Sequence, residues 1–388
     1  MKRKKVALVI NYDYHDYGGM LQAFATQEAL TKLGVDSEAI NYDNLKADIN
    51  KRKWKYFLSN VSDWSILKEK GKVIGKKLRV KTDTVFCNNI LKRDAAFDAF
   101  CRSKFKVSKA YESWKNLTVG CRAYDAVIVG SDQLWLPSNV AGDYYTLNFV
   151  PDNIKKIAYA TSFGICVIPE KMKTTYSRFL KRIDWLSTRE ASGQDIIKDC
   201  IGREVPMVCD PTMLLEKDDW DGIATPNRLI EDDYIFCYFM GDNPEQREFV
   251  TRLANKENCK IVGLLHLDQY IPSDEKYVDN APYDISPADF VSLVKNAKFV
   301  CTDSFHGTVF SIIFSKDFFT FKRFNKKASL STNTRLTSLL NRLGLNNRLF
   351  SGDESVEEDL TIHDYDKIQE TLKSFRVESC NYLRNSIQ

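Results

Sequence analysis

The sequence lacks the marks of several large protein classes. It has only four histidines in 388 residues. No HxxxH pair, clustered His/Cys group or spaced carboxylate set occurs, so nothing in it calls for a metal. Neither a Walker phosphate loop nor GxGxxG is present, which argues against an ATPase or a dinucleotide-dependent dehydrogenase. No apolar run approaches the ~20 residues needed to cross a bilayer. The ten cysteines are scattered, with no CxxC pair, and Cys209, Cys237 and Cys301 fall inside expected strands. They read as reduced, buried thiols of a cytosolic protein rather than a disulfide framework. A formal charge of +4 is too small for this length to point to nucleic acid. The basic start, Met1–Lys5, is followed by only five apolar residues and then by polar Asn11–His15, without a small-residue cleavage site, so Val6–Ile10 reads as a first strand and not as a signal peptide.

Short apolar runs alternating with helical patterns set out an α/β fold with two Rossmann-like domains facing a cleft. The spacing predicts a strand over 6–10, a glycine-bearing loop at Tyr17-Gly18-Gly19, a helix from Met20 to Leu33 and a second strand over 36–42, a doubly wound opening. Between Leu45 and Lys81, twelve Lys/Arg stand against three acidic residues, with Trp54, Tyr56, Phe57 and Trp64 interleaved. This begins a basic helical insertion near 45–120. It reads either as a solvated insertion or as a basic, aromatic patch meeting anionic headgroups or a lipid-linked acceptor at the cytoplasmic leaflet. Strands expected over 125–129, 156–160, 183–188 and 206–209 each end in polar residues or glycine, where open α/β sheets place their ligands. A polar stretch between Leu215 and Asp232 divides an N-terminal domain, 1–220, from a C-terminal domain, 221–388. The second domain alternates strands over 234–239, 260–265, 299–302 and 317–321 with helices, and closes on a terminal helix over 364–385.

The most informative segment is Cys301–Ile313, CTDSFHGTVFSII. A short strand runs into Asp303-Ser304 and a helix is expected to begin at Phe305, with Ser304 at its N-cap and His306 and Gly307 in its first turn. The free N–H groups of such a turn form an anion site. An imidazole there puts a proton donor beside the bound anion. The plainer reading, that Ser304 is a cap and His306 a structural hydrogen-bonder, stands beside it. Similar pairs of readings attach to other residues. Ser131, Asp132 and Gln133 sit at a strand-to-helix turn as caps or as ligands of a substrate. Arg189 is either an anion clamp or the ion-pair partner of Glu190 or a nearby aspartate. Asp303 either orients His306 or caps its turn, and Asp210-Pro211-Thr212 reads mainly as a structural turn at the domain junction.

Taken in order, Gly18-Gly19…Leu21-Gln22, Val129-Gly-Ser-Asp-Gln-Leu-Trp135, Ala160-Thr-Ser-Phe-Gly164, Ser187-Thr-Arg-Glu190, Asp210-Pro-Thr212, Asp303-Ser-Phe-His-Gly307 and Arg335…Leu339-Leu340 resemble the polysaccharide pyruvyl transferases over nearly the whole chain. Members transfer pyruvate from phosphoenolpyruvate to sugars as a ketal, and their fold is similar to that of GT-B glycosyltransferases. Two departures stand out. The loop Asn11–Tyr17 is longer than the family's compact turn. Arg335 stands where relatives often carry lysine, with Lys326 and Lys327 as basic neighbours.

The resemblance implies a cytoplasmic enzyme, peripheral at the membrane if the basic patch is used, acting in capsule or exopolysaccharide synthesis. It takes phosphoenolpyruvate as donor with no cofactor, and a glycan or lipid-linked sugar as acceptor. His306 is implied as acid, or as a holder of phosphate. Asp132 is implied as base, and Arg189 and Arg335 as clamps on carboxylate or phosphate. Ser304 and Gly307 then belong to the anion site, Ser131 and Gln133 to the acceptor hydroxyls, and Gly18 and Gly19 to ligand contact. The competing readings are a GT-B glycosyltransferase using a nucleotide sugar and a non-catalytic anion-binding protein of the same fold. No acidic ribose-binding residue stands out in the second half to favour the glycosyltransferase.

Overall fold

The computed structural model describes residues 3–59, 79–266, 271, 274–323, 334–356, 361–362 and 364–388. Two five-stranded parallel sheets organise it. The first contains β1 (Lys5–Val9), β2 (Asp36–Ala39), β3 (Ala126–Val129), β4 (Lys155–Ala158) and β5 (Trp185–Leu186), in the order β2-β1-β3-β4-β5. The second contains β6 (Tyr234–Tyr238), β7 (Lys260–Gly263), β8 (Phe299–Thr302), β9 (Asp317–Phe321) and β10 (Leu349–Phe350), in the order β10-β9-β8-β6-β7. Read from β7, the second sheet repeats the strand order of the first. This is the pair of Rossmann-like units expected from the sequence. Central strands of parallel sheets are covered on both faces and need unbroken apolar runs. Ala126-Val-Ile-Val129 and Tyr234-Ile-Phe-Cys-Tyr238 are such runs, buried at every residue.

In each unit the order reverses once, between β1 and β3 and between β6 and β8. A doubly wound sheet opens a crevice at the carboxyl ends of the strands flanking that reversal. The loops Ile10–Asp16 and Gly130–Leu136 leave one crevice, and Phe239–Asn243 and Asp303–Ser304 leave the other.

The two units share one apolar core that runs from β1 through the second unit to Leu383 and Ile387. At their junction Tyr17 stacks on Phe290 with centroids 5.0 Å apart and donates its hydroxyl to the Ile285 carbonyl at 3.0 Å. Trp220 meets Phe24 on one side and Phe310 on the other. The other face of the second sheet is filled by Phe249, Phe319, Phe321 and Phe350.

Several local features differ from the sequence reading. The first helix is Tyr17–Lys32, so Gly18 and Gly19 lie in its opening turn and not in a loop. Asp16 is the cause: its extended backbone and its carboxylate, which accepts from the Gly19 N–H at 2.6 Å, cap the helix there. Residues 206–209 form no strand. Thr188 and Met207 make a single bridge, Pro206 has no N–H to give, and the Cys209 N–H goes to Ser379 Oγ at 2.9 Å. The basic insertion is helical at Lys46–Leu58, Thr84–Lys104 and Trp114–Gly120. Its part over 60–78, with Trp64, lies outside the described residues, as do Lys326 and Lys327. Thr84–Lys104 reaches the second unit, where buried Arg93 donates to the carbonyls of Leu265 (2.9 Å) and Tyr283 (3.3 Å). The terminal helix, Tyr365–Ile387, starts on the second unit, where Gln369 donates to the Ile312 carbonyl. It finishes on the first, where Arg376 donates to the Met213 carbonyl and Tyr382 lies against Tyr159 and Trp185.

Candidate active site

The two crevices meet around Arg189, which follows β5 and is almost fully buried. Its Nη1 donates to Asp210 Oδ2 at 2.6 Å and its Nη2 to Asp132 Oδ1 at 3.0 Å, while its Nε lies 3.8 Å from Glu190 Oε2. Burial alone works against this cation, but Asp210, Asp132 and Glu190 outweigh it and hold the guanidinium above its ordinary range. Burial would likewise raise the Asp210 carboxyl. His306, Arg189 and Thr212 reverse that and keep it well below the usual carboxylate range. Asp210 Oδ1 accepts from the N–H and hydroxyl of Thr212 at 3.0 and 2.7 Å. The residue is therefore the turn expected at the domain junction and also the buried anion of the site.

Asp132 has φ 75°, a left-handed conformation uncommon for a residue with a side chain. Hydrogen bonds over-determine it: its carbonyl accepts from the N–H groups of Leu134 (2.8 Å) and Ser162 (2.9 Å). The turn delivers its carboxylate to Arg189 and to within 4.0 Å of Arg335 Nη1. Burial opposes that charge, yet Arg189, His306 and Arg335 bring the carboxyl below its usual range.

The SFHG helix begins as the capping signals predict. Ser304 caps Phe305–Ile313 and accepts from the Gly307 N–H at 3.4 Å. Gly307 is a packing residue, since a Cβ there would lie 2.5 Å from Thr302 Oγ1. His306 is 6% exposed. Its Nε2 points towards Asp210 Oδ2 at 3.6 Å, beyond hydrogen-bond length, and has no hydrogen-bond partner among the described residues. On the Nδ1 side the ring faces Gly18, which brings the first helix of one unit against the imidazole of the other.

Phe305 presents its ring to two cations, with the Arg189 guanidinium at 4.6 Å and that of Arg335 at 5.9 Å. Arg335 opens the helix Thr334–Arg342 and is buried. Burial, then the neighbouring Arg189, push its guanidinium down to about 9. A small anion arriving here would relieve that.

The site contains residues that the sequence did not single out. Asp16 accepts from Gly19, whose Cβ position is 3.2 Å from Asp16 Oδ1 and 3.7 Å from Asp132 Oδ2. Burial, and then Asp132, raise the Asp16 carboxyl. Arg323 donates to the Asp303 carbonyl at 3.2 Å from the end of β9. A capping residue and a strand-end arginine were the signals available.

Two expected roles change. Asp303 neither orients His306 nor caps its turn; it accepts from the N–H groups of Met240 (2.6 Å) and Gly241 (2.9 Å), tying the loop after β6 to β8. The Ser131 hydroxyl is wholly buried and engaged with Asp210 Oδ2 (2.9 Å) and the Ala160 carbonyl (3.0 Å), so it is not turned to an acceptor. Gln133 is half-buried, its side chain beside Gly164. Among the described residues no group of three or more His, Cys, Asp or Glu could hold a metal ion.

A family model described as polysaccharide pyruvyl transferase matches residues 16–323. No curated protein matches the chain by sequence. Among solved structures, UDP-GlcNAc 2-epimerase from Methanocaldococcus jannaschii is 11% identical, with 96% of this chain and 92% of that one covered and a TM-score of 0.48. UGT89C1 from Arabidopsis thaliana is 8% identical with full coverage of both chains and a TM-score of 0.48. ADP-heptose LPS heptosyltransferase II from E. coli is 9% identical, with 97% and 99% covered and a TM-score of 0.37.

Proposed function

The chain belongs to the polysaccharide pyruvyl transferase family, and on that premise we propose that it moves pyruvate from phosphoenolpyruvate onto two hydroxyls of a sugar in a cell-surface polysaccharide or its lipid-linked precursor, releasing phosphate. The observation that carries this reading is the buried His306 imidazole, its Nε2 without a hydrogen-bond partner, set beside Asp210 and the paired guanidiniums of Arg189 and Arg335.

In this mechanism the carboxylate and phosphate of phosphoenolpyruvate take over the two guanidiniums. Asp132 is thereby released from Arg189 and serves as base for the first sugar hydroxyl. His306 gives its proton to the methylene carbon, and the sugar oxygen bonds to the adjacent carbon, which acquires oxocarbenium character. The bond to the phosphate oxygen then breaks, and the leaving phosphate carries off the proton that Asp132 took from the first hydroxyl. The second hydroxyl closes on the same carbon, and its proton returns to His306. Donor and diol become ketal and phosphate, with atoms and protons balanced. Asp210 holds the imidazolium in place before the first proton transfer and again after the second. All ten cysteines are free, which fits action on the cytoplasmic side, and among the described residues no helix is long and apolar enough to cross a membrane.

The test uses purified protein, phosphoenolpyruvate and polysaccharide from a host strain lacking this gene. Phosphate release is measured together with the ketal methyl signal by proton NMR. Both are expected with the wild type and expected to fall at least about 100-fold in His306→Ala with an unchanged circular dichroism spectrum. Thermal stabilisation by nucleotide sugars alone, or transfer at the wild-type rate by His306→Ala, defeats the reading.

A further inference from the structure

The helix Lys46–Leu58 carries its residues in an order unlike that of an ordinary surface helix. Its inward side is anchored: Ile49 is buried against Gly142, Lys53 Nζ donates to Asn139 Oδ1 at 2.8 Å, and Arg52 donates to Asp143 at 3.2 Å with its guanidinium over the Trp114 ring. The outward stripe at spacings of three and four is Lys51, Trp54, Lys55 and Leu58. Trp54 is 53% and Leu58 64% exposed, and Trp54 meets Phe57 edge-on at 5.5 Å. A solvated helix places its most polar residues on that side. Here a tryptophan and a leucine alternate with two lysines and no acid.

We propose that this helix docks the protein on an anionic bilayer, with Trp54 and Leu58 in the headgroup layer and Lys51 and Lys55 on anionic lipids. An amphipathic basic helix with one aromatic-aliphatic stripe binds the interface in this way, and indole rings settle at headgroup depth. Charge selects the occupant. The helix has five cations, Lys46, Lys51, Arg52, Lys53 and Lys55, against one acid, Asp48. Three are engaged inward: Lys46 by Asp13 and Asp43, Arg52 by Asp48 and Asp143, and Lys53 by Asn139. Lys51 and Lys55 remain on the outer stripe. A second copy of the chain meeting this face symmetrically would set those lysines against each other; a layer of anionic headgroups would pair them.

The helix is linked to the candidate site through one residue. Lys53 bonds Asn139, whose Nδ2 donates to the Gln133 carbonyl at 2.9 Å, one residue from Asp132. A bilayer against the outer stripe therefore lies beside the first crevice, where an acceptor anchored in that bilayer would arrive. This last step rests on the transfer reaction proposed above; the docking does not.

Flotation of the full-length protein with vesicles of phosphatidylcholine, with and without phosphatidylglycerol, tests the proposal. Binding is expected only with phosphatidylglycerol and is expected to weaken as salt is raised. Lys51→Glu/Lys55→Glu should lower the partition coefficient at least about fivefold per lysine, and Trp54→Ala/Leu58→Ala about tenfold. Melting temperatures of both variants should match the wild type. Vesicle binding retained by both variants, equal binding to neutral vesicles, or self-association through this face without vesicle binding overturns it. Docking without any transfer from phosphoenolpyruvate would leave the membrane role standing and remove the proposed reaction.

Discussion

Gly18 lies so close to His306 that a Cβ on it would fall 1.9 Å from Nδ1 and 2.4 Å from Cγ of the imidazole. The ring has little room to retreat, with Phe305 edge-on at 5.3 Å and Asp210 on the Nε2 side. Gly18→Ala should therefore displace the imidazole, lowering transfer about 100-fold and stability by about 1–3 kcal/mol. Gly19→Ala meets nothing nearer than Asp16 Oδ1 at 3.2 Å and should lose less than about tenfold. Steady-state kinetics with denaturant unfolding compares the two; equal losses would contradict the close approach to His306.

Asp210 compensates the buried Arg189. Asp210→Asn leaves that guanidinium short of charge and should cost about 3–5 kcal/mol. The sign with pH follows from the depressed carboxyl. Its stabilisation is fully present above the ordinary aspartate value of about 4 and is lost as the pH falls below that, towards the lower folded value. Unfolding midpoints measured from pH 6 down to pH 3 should decline steeply in the wild type below about pH 4 and more gently in Asp210→Asn.

Arg335 should separate stability from function. Its charge is buried beside another guanidinium, with Asp132 at 4.0 Å as the nearest anion among the described residues. Arg335→Met removes an under-compensated charge and is expected to leave stability unchanged or raise it by about 1 kcal/mol. The same change removes a charge-assisted contact worth about 1.5–3 kcal/mol, so the KM for phosphoenolpyruvate should rise about ten- to a hundredfold. A variant that is less stable with an unchanged KM would assign Arg335 to the scaffold.

Asp303 predicts the opposite pattern. Its carboxylate is engaged by the Met240 and Gly241 N–H groups rather than by the imidazole. Asp303→Asn turns an amide donor towards one of these N–H groups, which should cost about 1–3 kcal/mol. The pH dependence of transfer should keep its wild-type midpoints, and a displaced basic or acidic limb would return Asp303 to the proton path.

The sequence carried the parts of the site that local chemistry writes. Ser304 announced a helix start three residues before Gly307, and the cap is where it was expected. Arg189 followed a short strand and preceded a helix, and it sits at the meeting of the two crevices. Long-range pairing was illegible. The Ser131 hydroxyl is taken by a carboxylate 79 residues away and the Asp303 carboxylate by amides 62 and 63 residues away. No local pattern distinguishes a serine that faces a substrate from one that faces a distant aspartate. Asp16 was hidden for another reason: two glycines after a polar stretch read as a loop, and only the cap geometry shows that the helix already includes them.

The terminal helix has a mechanical meaning. It grips the second unit at Gln369 and the first at Arg376 and Tyr382, and at 23 residues it is a rod of roughly 34 Å. The chain thus crosses between the halves twice, once after Asp221 and once along this rod. One flexible crossing would let the lobes swivel freely. Two crossings beside one shared apolar core tie the halves together, so His306 and Arg189 are held facing one another across the junction.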